Sequence, residues 1–281
     1  MLKEITYLAP FFVANASASF VLSKISEKKV ISSFDNIKTI KQTKYNKELY
    51  LEPNLIKLVS TIEKNIKPEY LNNFYANLNN AKIQKKMKLL LFGIKGKYNG
   101  QKNTLDYSIN GSLEHEIIHL ASSVYNKEED ILQSGFVHYD KGFNLCKALN
   151  EGYTDLQSRR LFNKKTLFYN EEVRIAEFFE LLFDKEELQK YYFTNDLVGF
   201  INHLSTFINR EEVIKMLINF DLGFNLKKLS NPAYKVLYTN LELKLSEIFM
   251  KNKKSFKKQF EHIHLLEKSP ITSTIKNLKR K

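Results

Sequence analysis

His115-Glu116-Ile117-Ile118-His119 constrains this chain more than any other segment. On a helix, residues four apart lie on one face. The two imidazoles can therefore converge on a single metal ion, with Glu116 beside them as a potential general base. Zinc suits such a site, because it takes nitrogen and oxygen ligands tetrahedrally and a catalytic zinc keeps one position for water. The chain has only six histidines. Leu113, Ile117, Leu120, Ala121 and Val124 already supply a core stripe, so packing does not call for His115, Glu116 or His119. Burying two imidazoles and their carboxylates without an ion would leave polar groups unpaired, at a cost of kilocalories. The pattern predicts a metal-binding helix and one zinc ion per chain.

A second motif follows. The segment from Phe143 to Phe162 reads as helical, with Leu145, Ala148, Leu149, Gly152 and Leu156 as its apolar stripe. It contains Asn150-Glu151-Gly152-Tyr153-Thr154-Asp155, in which Glu151 and Asp155 are again four apart. Glu151 lies 32 residues after His119, room for a loop and a helix that folds back on the first. One carboxylate can complete a His-His-Glu set. The other can accept a hydrogen bond from the free ring N–H of a ligand histidine and so fix its tautomer. H-E-x-x-H followed by E-x-x-x-D resembles the gluzincins, the metallopeptidase group that includes thermolysin. The resemblance covers about Tyr98 to Phe162. It implies His115, His119 and Glu151 as zinc ligands, Glu116 as the base and Asp155 as the supporting carboxylate; Asp155 as a direct ligand is the competing assignment. The whole chain is also similar to uncharacterised bacterial proteins carrying an N-E-G-Y-T-D/E motif, which names no substrate. Some gluzincins place a histidine after the glutamate helix to stabilise the transition state, which directs attention to His203. His203 also fits as a packed residue among Phe200, Ile201, Leu204 and Phe207. Tyr139, Tyr153 and His138 are further candidates for that role, and the sequence does not choose among them.

Upstream, Lys88 to Ile94 is a short apolar, strand-like run, and Asn99-Gly100 is a hairpin signal. Thr104 to Ile109 reads as a second strand. Zincins place such an antiparallel element just before the metal helix, where its edge can bind an extended peptide through main-chain pairing. Asn110-Gly111-Ser112 predicts a turn into the helix, with Ser112 as N-cap.

At 281 residues, with 43% hydrophobic and 27% charged residues, the chain can build a real core and is not of disordered composition. A single cysteine, Cys146, excludes an internal disulfide framework and a cysteine-rich zinc site. Residues 5–23 carry no charge and include Ala16-Ser17-Ala18, which could be read as a signal peptidase site. Pro10, Asn15, Ser17 and Ser19 interrupt the run, so a buried element of a cytoplasmic protein is the favoured expectation. Helical patterns cover Leu55 to Ile62, a unit starting at Pro68, Val173 to Leu182, Asp196 to Ile208, Glu211 to Ile218 and Pro232 to Phe249. Residues 251–281 carry ten Lys or Arg against Glu261 and Glu267, +8 of the formal +13.

These observations predict an α+β fold, predominantly helical. A helical segment at 1–85 would pack on a zincin-like metal-binding core at 86–163, which has a hairpin or small sheet. A helical part at 164–250 and a basic tail at 251–281 complete the chain. The expected activity is zinc-dependent hydrolysis, with a peptide or protein as substrate. Two other classes stand beside it: an inactive zinc-stabilised interaction module, and a basic protein with an incidental motif that binds nucleic acid or anionic membrane through its tail.

Overall fold

The computed structural model describes residues 53–86, 96–108, 113–140, 143–163 and 169–252. Residues 5–23, the run Lys88 to Ile94, the Asn110-Gly111-Ser112 turn and the tail beyond residue 252 lie outside them. Within the described residues the fold is α+β and mostly helical, with nine helices and two small sheets.

Helix α1 (Pro53–Asn65) leads through a short 3-10 turn (Pro68–Tyr70) to α2 (Asn72–Asn80). Proline opens both α1 and the 3-10 turn, where a missing N–H costs nothing and the ring presets φ. Strand β1 (Lys82–Lys85) pairs in parallel with β3 (Thr104–Tyr107), and β2 (Gly96–Asn99) pairs antiparallel with β3. Among the described residues, the order β1-β3-β2 leaves β2 as an edge strand. Its hairpin with β3 turns through Gly100 to Asn103, with Asn99 Oδ1 accepting from the Lys102 N–H at 3.0 Å and Asn103 in the left-handed region (φ 47°). The first strand of the hairpin is thus Gly96–Asn99, ending at the Asn99-Gly100 signal.

Helix α3 (Leu113–Ala121) carries the histidine motif and stops three residues earlier than its apolar stripe suggested. Val124 belongs instead to β4 (Ser123–Asn126), the first strand of an antiparallel meander with β5 (Ile131–Ser134), β6 (Val137–Asp140) and β7 (Phe143–Leu145). The helix expected from Phe143 starts later in the structure. Phe143 to Leu145 is strand, and α4 runs from Lys147 to Phe162. Cys146 takes a left-handed conformation (φ 67°) between the two elements. The first turn of α4 is capped from another helix, by Asp221 Oδ1 accepting from the Ala148 N–H at 2.8 Å.

Five more helices follow: α5 (Asn170–Leu182), α6 (Lys185–Phe193), α7 (Leu197–Leu204), α8 (Arg210–Lys228) and α9 (Ala233–Lys251). Side chains of Asp184, Asp196 and Asn209 cap α6, α7 and α8 by accepting N–H bonds from Glu187, Gly199 and Glu212 at 2.8–2.9 Å. Helix α4 is the centre of the molecule, packed by α1, α3, α5 and α8. It is buried around most of its circumference, including the polar residues Asn150, Thr154, Asp155, Gln157 and Ser158. Buried polar side chains need partners, and those of α4 find several of theirs at the face toward α3.

Candidate metal centre

The i, i+4 spacing on α3 sets the His115 and His119 rings against each other, edge to face, with centroids 4.8 Å apart. Glu151 reaches them from α4. The three facing atoms form a nearly equilateral triangle: His115 Nε2 to His119 Nε2 at 3.0 Å, His115 Nε2 to Glu151 Oε2 at 3.4 Å, and His119 Nε2 to Glu151 Oε2 at 3.6 Å. Ligands about 2.0–2.1 Å from a tetrahedral ion lie roughly 3.3 Å from one another. The donor atoms and their spacing therefore fit a metal ion, and this buried group could hold one. The Glu151 side chain keeps 19% of its surface accessible against 6% for His115, so the group is open on the glutamate side.

A polar group lies behind each histidine, although the one behind His115 is too far for a hydrogen bond. His115 Nδ1 faces Asp155 Oδ1 at 3.8 Å, and the other oxygen of Asp155 accepts from Arg159 Nε at 2.9 Å and a second Arg159 nitrogen at 2.7 Å. Asp155 thus lies behind His115 and outside the triangle. His119 Nδ1 lies 3.4 Å from both Thr154 Oγ1 and Asn150 Nδ2. Thr154 donates to the Asn150 carbonyl at 2.7 Å and meets the Tyr192 hydroxyl at 2.6 Å. With Nε2 facing the triangle, Nδ1 carries the proton, and Thr154 Oγ1 has a lone pair to accept it. Asn150 Oδ1 accepts from the Phe136 N–H at 3.1 Å, which anchors this turn of α4 to the meander. Gly152 permits the close crossing of α5: a Cβ there would lie 2.4 Å from the Glu172 carbonyl oxygen.

Electrostatics agree with a site built for a cation. Burial alone would lower the His115 pKa, but Asp155 and Glu151 overcome it and raise it to about 10. Burial works against the Glu151 charge as well, yet His119 and His115 hold its carboxyl well below the usual range. Without a metal, a proton on His115 supplies the positive charge that the carboxylates demand.

Glu116 is buried and turns toward the edge strand, where its Oε2 accepts from the Tyr98 N–H at 2.8 Å. A Cβ at Gly96 would meet its Cγ at 2.7 Å, so the strand lies directly against this carboxylate. Among the four residues expected to steady a transition state, Tyr139 is the one whose hydroxyl senses Glu151; burial, followed by that charge, pushes its pKa up to about 12. His138 is buried with Gln133, its Nδ1 3.2 Å from Nε2. Tyr153 packs between Phe136 and Tyr192 in the core. His203 pairs with Glu187 at 2.7 Å and lies against Phe183. The structure does not bring His138, Tyr153 or His203 to the triangle. It brings Tyr169 instead, which stacks on His115 with centroids 5.6 Å apart and planes 23° apart. Burial and the charges of Glu151 and Glu116 raise the Tyr169 pKa. No periodic signal marks Tyr169, because it comes from the turn before α5.

Comparison with protein-family models, curated proteins and solved structures returned no match.

Proposed function

We propose that the chain is a zinc-dependent hydrolase that cleaves peptide bonds. The observation that carries this reading is the donor triangle of His115, His119 and Glu151, flanked by the carboxylate of Glu116. Bound there, zinc would bring the pKa of a coordinated water toward about 7 and polarise a substrate carbonyl. Glu116 takes the proton from water and returns it to the leaving amine. The Tyr98 N–H that Glu116 accepts in the free enzyme keeps the carboxylate on the strand side of the helix. That N–H points away from β3, so an extended peptide pairing along the outer edge of β2, unpaired among the described residues, would take it over from Glu116. Tyr169, stacked on His115, offers a hydroxyl for charge that develops on the carbonyl oxygen.

Two measurements test the reading together. Elemental analysis should find one zinc per wild-type chain and none in His115→Ala. A peptide library should be cut by the wild type, while Glu116→Gln, which keeps its zinc, is slower by about 10²–10⁴-fold. Equal metal in wild type and His115→Ala would overturn the site. A zinc-loaded wild type that cuts nothing would overturn the hydrolase.

A further inference from the structure

Asp155 and Arg159 are four apart on α4, a spacing that ordinarily gives a modest surface ion pair. Here the carboxylate is fully buried, while 25% of the Arg159 side chain stays accessible. Both guanidinium contacts, Nε at 2.9 Å and a terminal nitrogen at 2.7 Å, fall on one oxygen, Oδ2. That leaves Oδ1 to face His115 Nδ1, which is buried and has no hydrogen-bond partner. The two atoms are 3.8 Å apart, so a movement of about 1 Å would bring them within hydrogen-bond range.

The same terminal nitrogen of Arg159 donates to Asn170 Oδ1 at 2.8 Å. Asn170 opens α5 directly after Tyr169, whose ring stacks on His115. The Tyr169 carbonyl accepts from the Val173 N–H at 2.7 Å, which ties its backbone to the helix. A closed circuit results, from His115 through Asp155, Arg159, Asn170 and Tyr169 back to the His115 ring. Arg159 can serve both Asp155 and Asn170 because a planar guanidinium holds several donors in a fixed fork, whereas a lysine is a point charge. The next residue, Arg160, pairs instead with Glu180 of α5.

We propose that Arg159 is a positioning residue for the metal centre: it sets Asp155 behind His115 and, through Asn170, holds Tyr169 against the face of the same ring. The inference rests on reading the His115, His119 and Glu151 triangle as a metal site.

Full-length protein, stripped with a chelator, is titrated with Co2+, whose visible absorption reports ligand geometry and whose affinity is read by competition. Arg159→Gln should weaken Co2+ binding by about ten-fold, the lower end of what outer partners of ligands contribute, and should change the band shape. Arg159→Lys keeps the charge beside buried Asp155, so it should melt close to the wild type yet recover neither affinity nor band shape. In an Asp155→Ala background, adding Arg159→Gln should cost less than about two-fold more, because the guanidinium acts on His115 through that carboxylate. Arg160→Gln and Asn170→Ala should both stay within about two-fold of wild-type affinity. Hydrogen exchange reads the second arm. Saturating Zn2+ should slow exchange of the Val173 amide by about ten-fold in the wild type, and by less than about two-fold in Asn170→Ala.

A folded Arg159→Gln protein with wild-type Co2+ affinity and spectrum would overturn the proposal. So would full recovery by Arg159→Lys, an undiminished loss in the Asp155→Ala background, or Zn2+-dependent protection of Val173 that persists in Asn170→Ala. If Arg159→Gln alone does not fold, Arg159→Lys and the Asp155→Ala background decide the matter. Wild-type protein that takes up no Co2+ would sink the metal reading itself, and the positioning role with it.

Discussion

A proton on His115 stands where the structure would accept an ion. Its metal-free pKa of about 10 lies well above the ordinary imidazole value, so the ring is charged through neutrality and a metal must displace that proton. Metal binding near pH 7.5 should release about one proton, and apparent affinity should rise by about ten-fold per pH unit until His115 titrates. Calorimetry in buffers of different ionisation enthalpy measures the release; none at all would mean that His115 is already neutral. The same shift bears on the metal-free fold. A raised pKa contributes stability that is present below the unfolded value and lost as pH rises through about 10. Glu151 acts in the opposite sense, contributing above the usual carboxylate range and losing that contribution as pH falls. Behind His119, Thr154→Val keeps the shape but removes the hydroxyl that accepts the ring proton. Chelator competition should show zinc affinity weaker by about 10–100-fold, with Asp155→Ala giving a similar loss through His115. An unchanged affinity in Thr154→Val would mean that Asn150 alone orients the ring. Helical spacing exposed His115 with His119, and Glu151 with Asp155, in the sequence because a period of four is itself geometry; the choice of Glu151 over Asp155 came from the resemblance. Thr154 and Tyr169 were not legible. Their roles depend on which face of α4 meets α3 and on how the turn before α5 folds back.

Helices α4 and α5 approach as closely as they do because residue 152 has no side chain. Gly152→Ala would set a methyl group against the Glu172 backbone, and a backbone contact cannot swing aside. The substitution should cost about 1–3 kcal/mol in equilibrium denaturation. A loss below about 0.5 kcal/mol would show that the crossing relaxes easily. Glu172 itself is fully buried, accepts from Tyr238 at 2.6 Å and pairs with Lys227, so α5 is tied to both α8 and α9 where it meets α4. At this scale, whereas Glu211 to Ile218 covers less than half of α8 (Arg210–Lys228), α5 and α9 were the legible part. Their apolar faces run for several turns, and Val173 to Leu182 and Pro232 to Phe249 differ from the observed bounds only near the ends. The meander was missed because its strands are three or four residues long, too short for alternation to register. Leu145 matched a helical stripe by coincidence of spacing. Helix α6 was also missed, although Asp184 with Glu187 three residues later is a helix-start signal, and in the structure Asp184 caps Glu187 as that signal implies.

No helix among the described residues is long and apolar enough to cross a membrane. A metal bound at this group would matter to the stability of the whole molecule, because His115 and His119 of α3 and Glu151 of α4 converge only in the folded chain. Zinc at about 1,000 times its Kd would add roughly 4 kcal/mol. A chelator should therefore lower the melting temperature by about 10 °C, reversibly, and by the same amount in Glu116→Gln. Identical melting with and without chelator would show that no ion is bound. Asn195, in the left-handed bend between α6 and α7, accepts from Asn73 of α2 at 2.6 Å and donates both to the Ser122 carbonyl, just past α3, and to the Gly135 carbonyl at the turn of the meander. One amide thereby fastens four parts of the chain that are distant in sequence. Amide protons at the end of α3 and in the β5–β6 turn should then exchange with solvent in a single opening event, sharing one protection factor and one denaturant dependence. In Asn195→Ala they should exchange independently of each other.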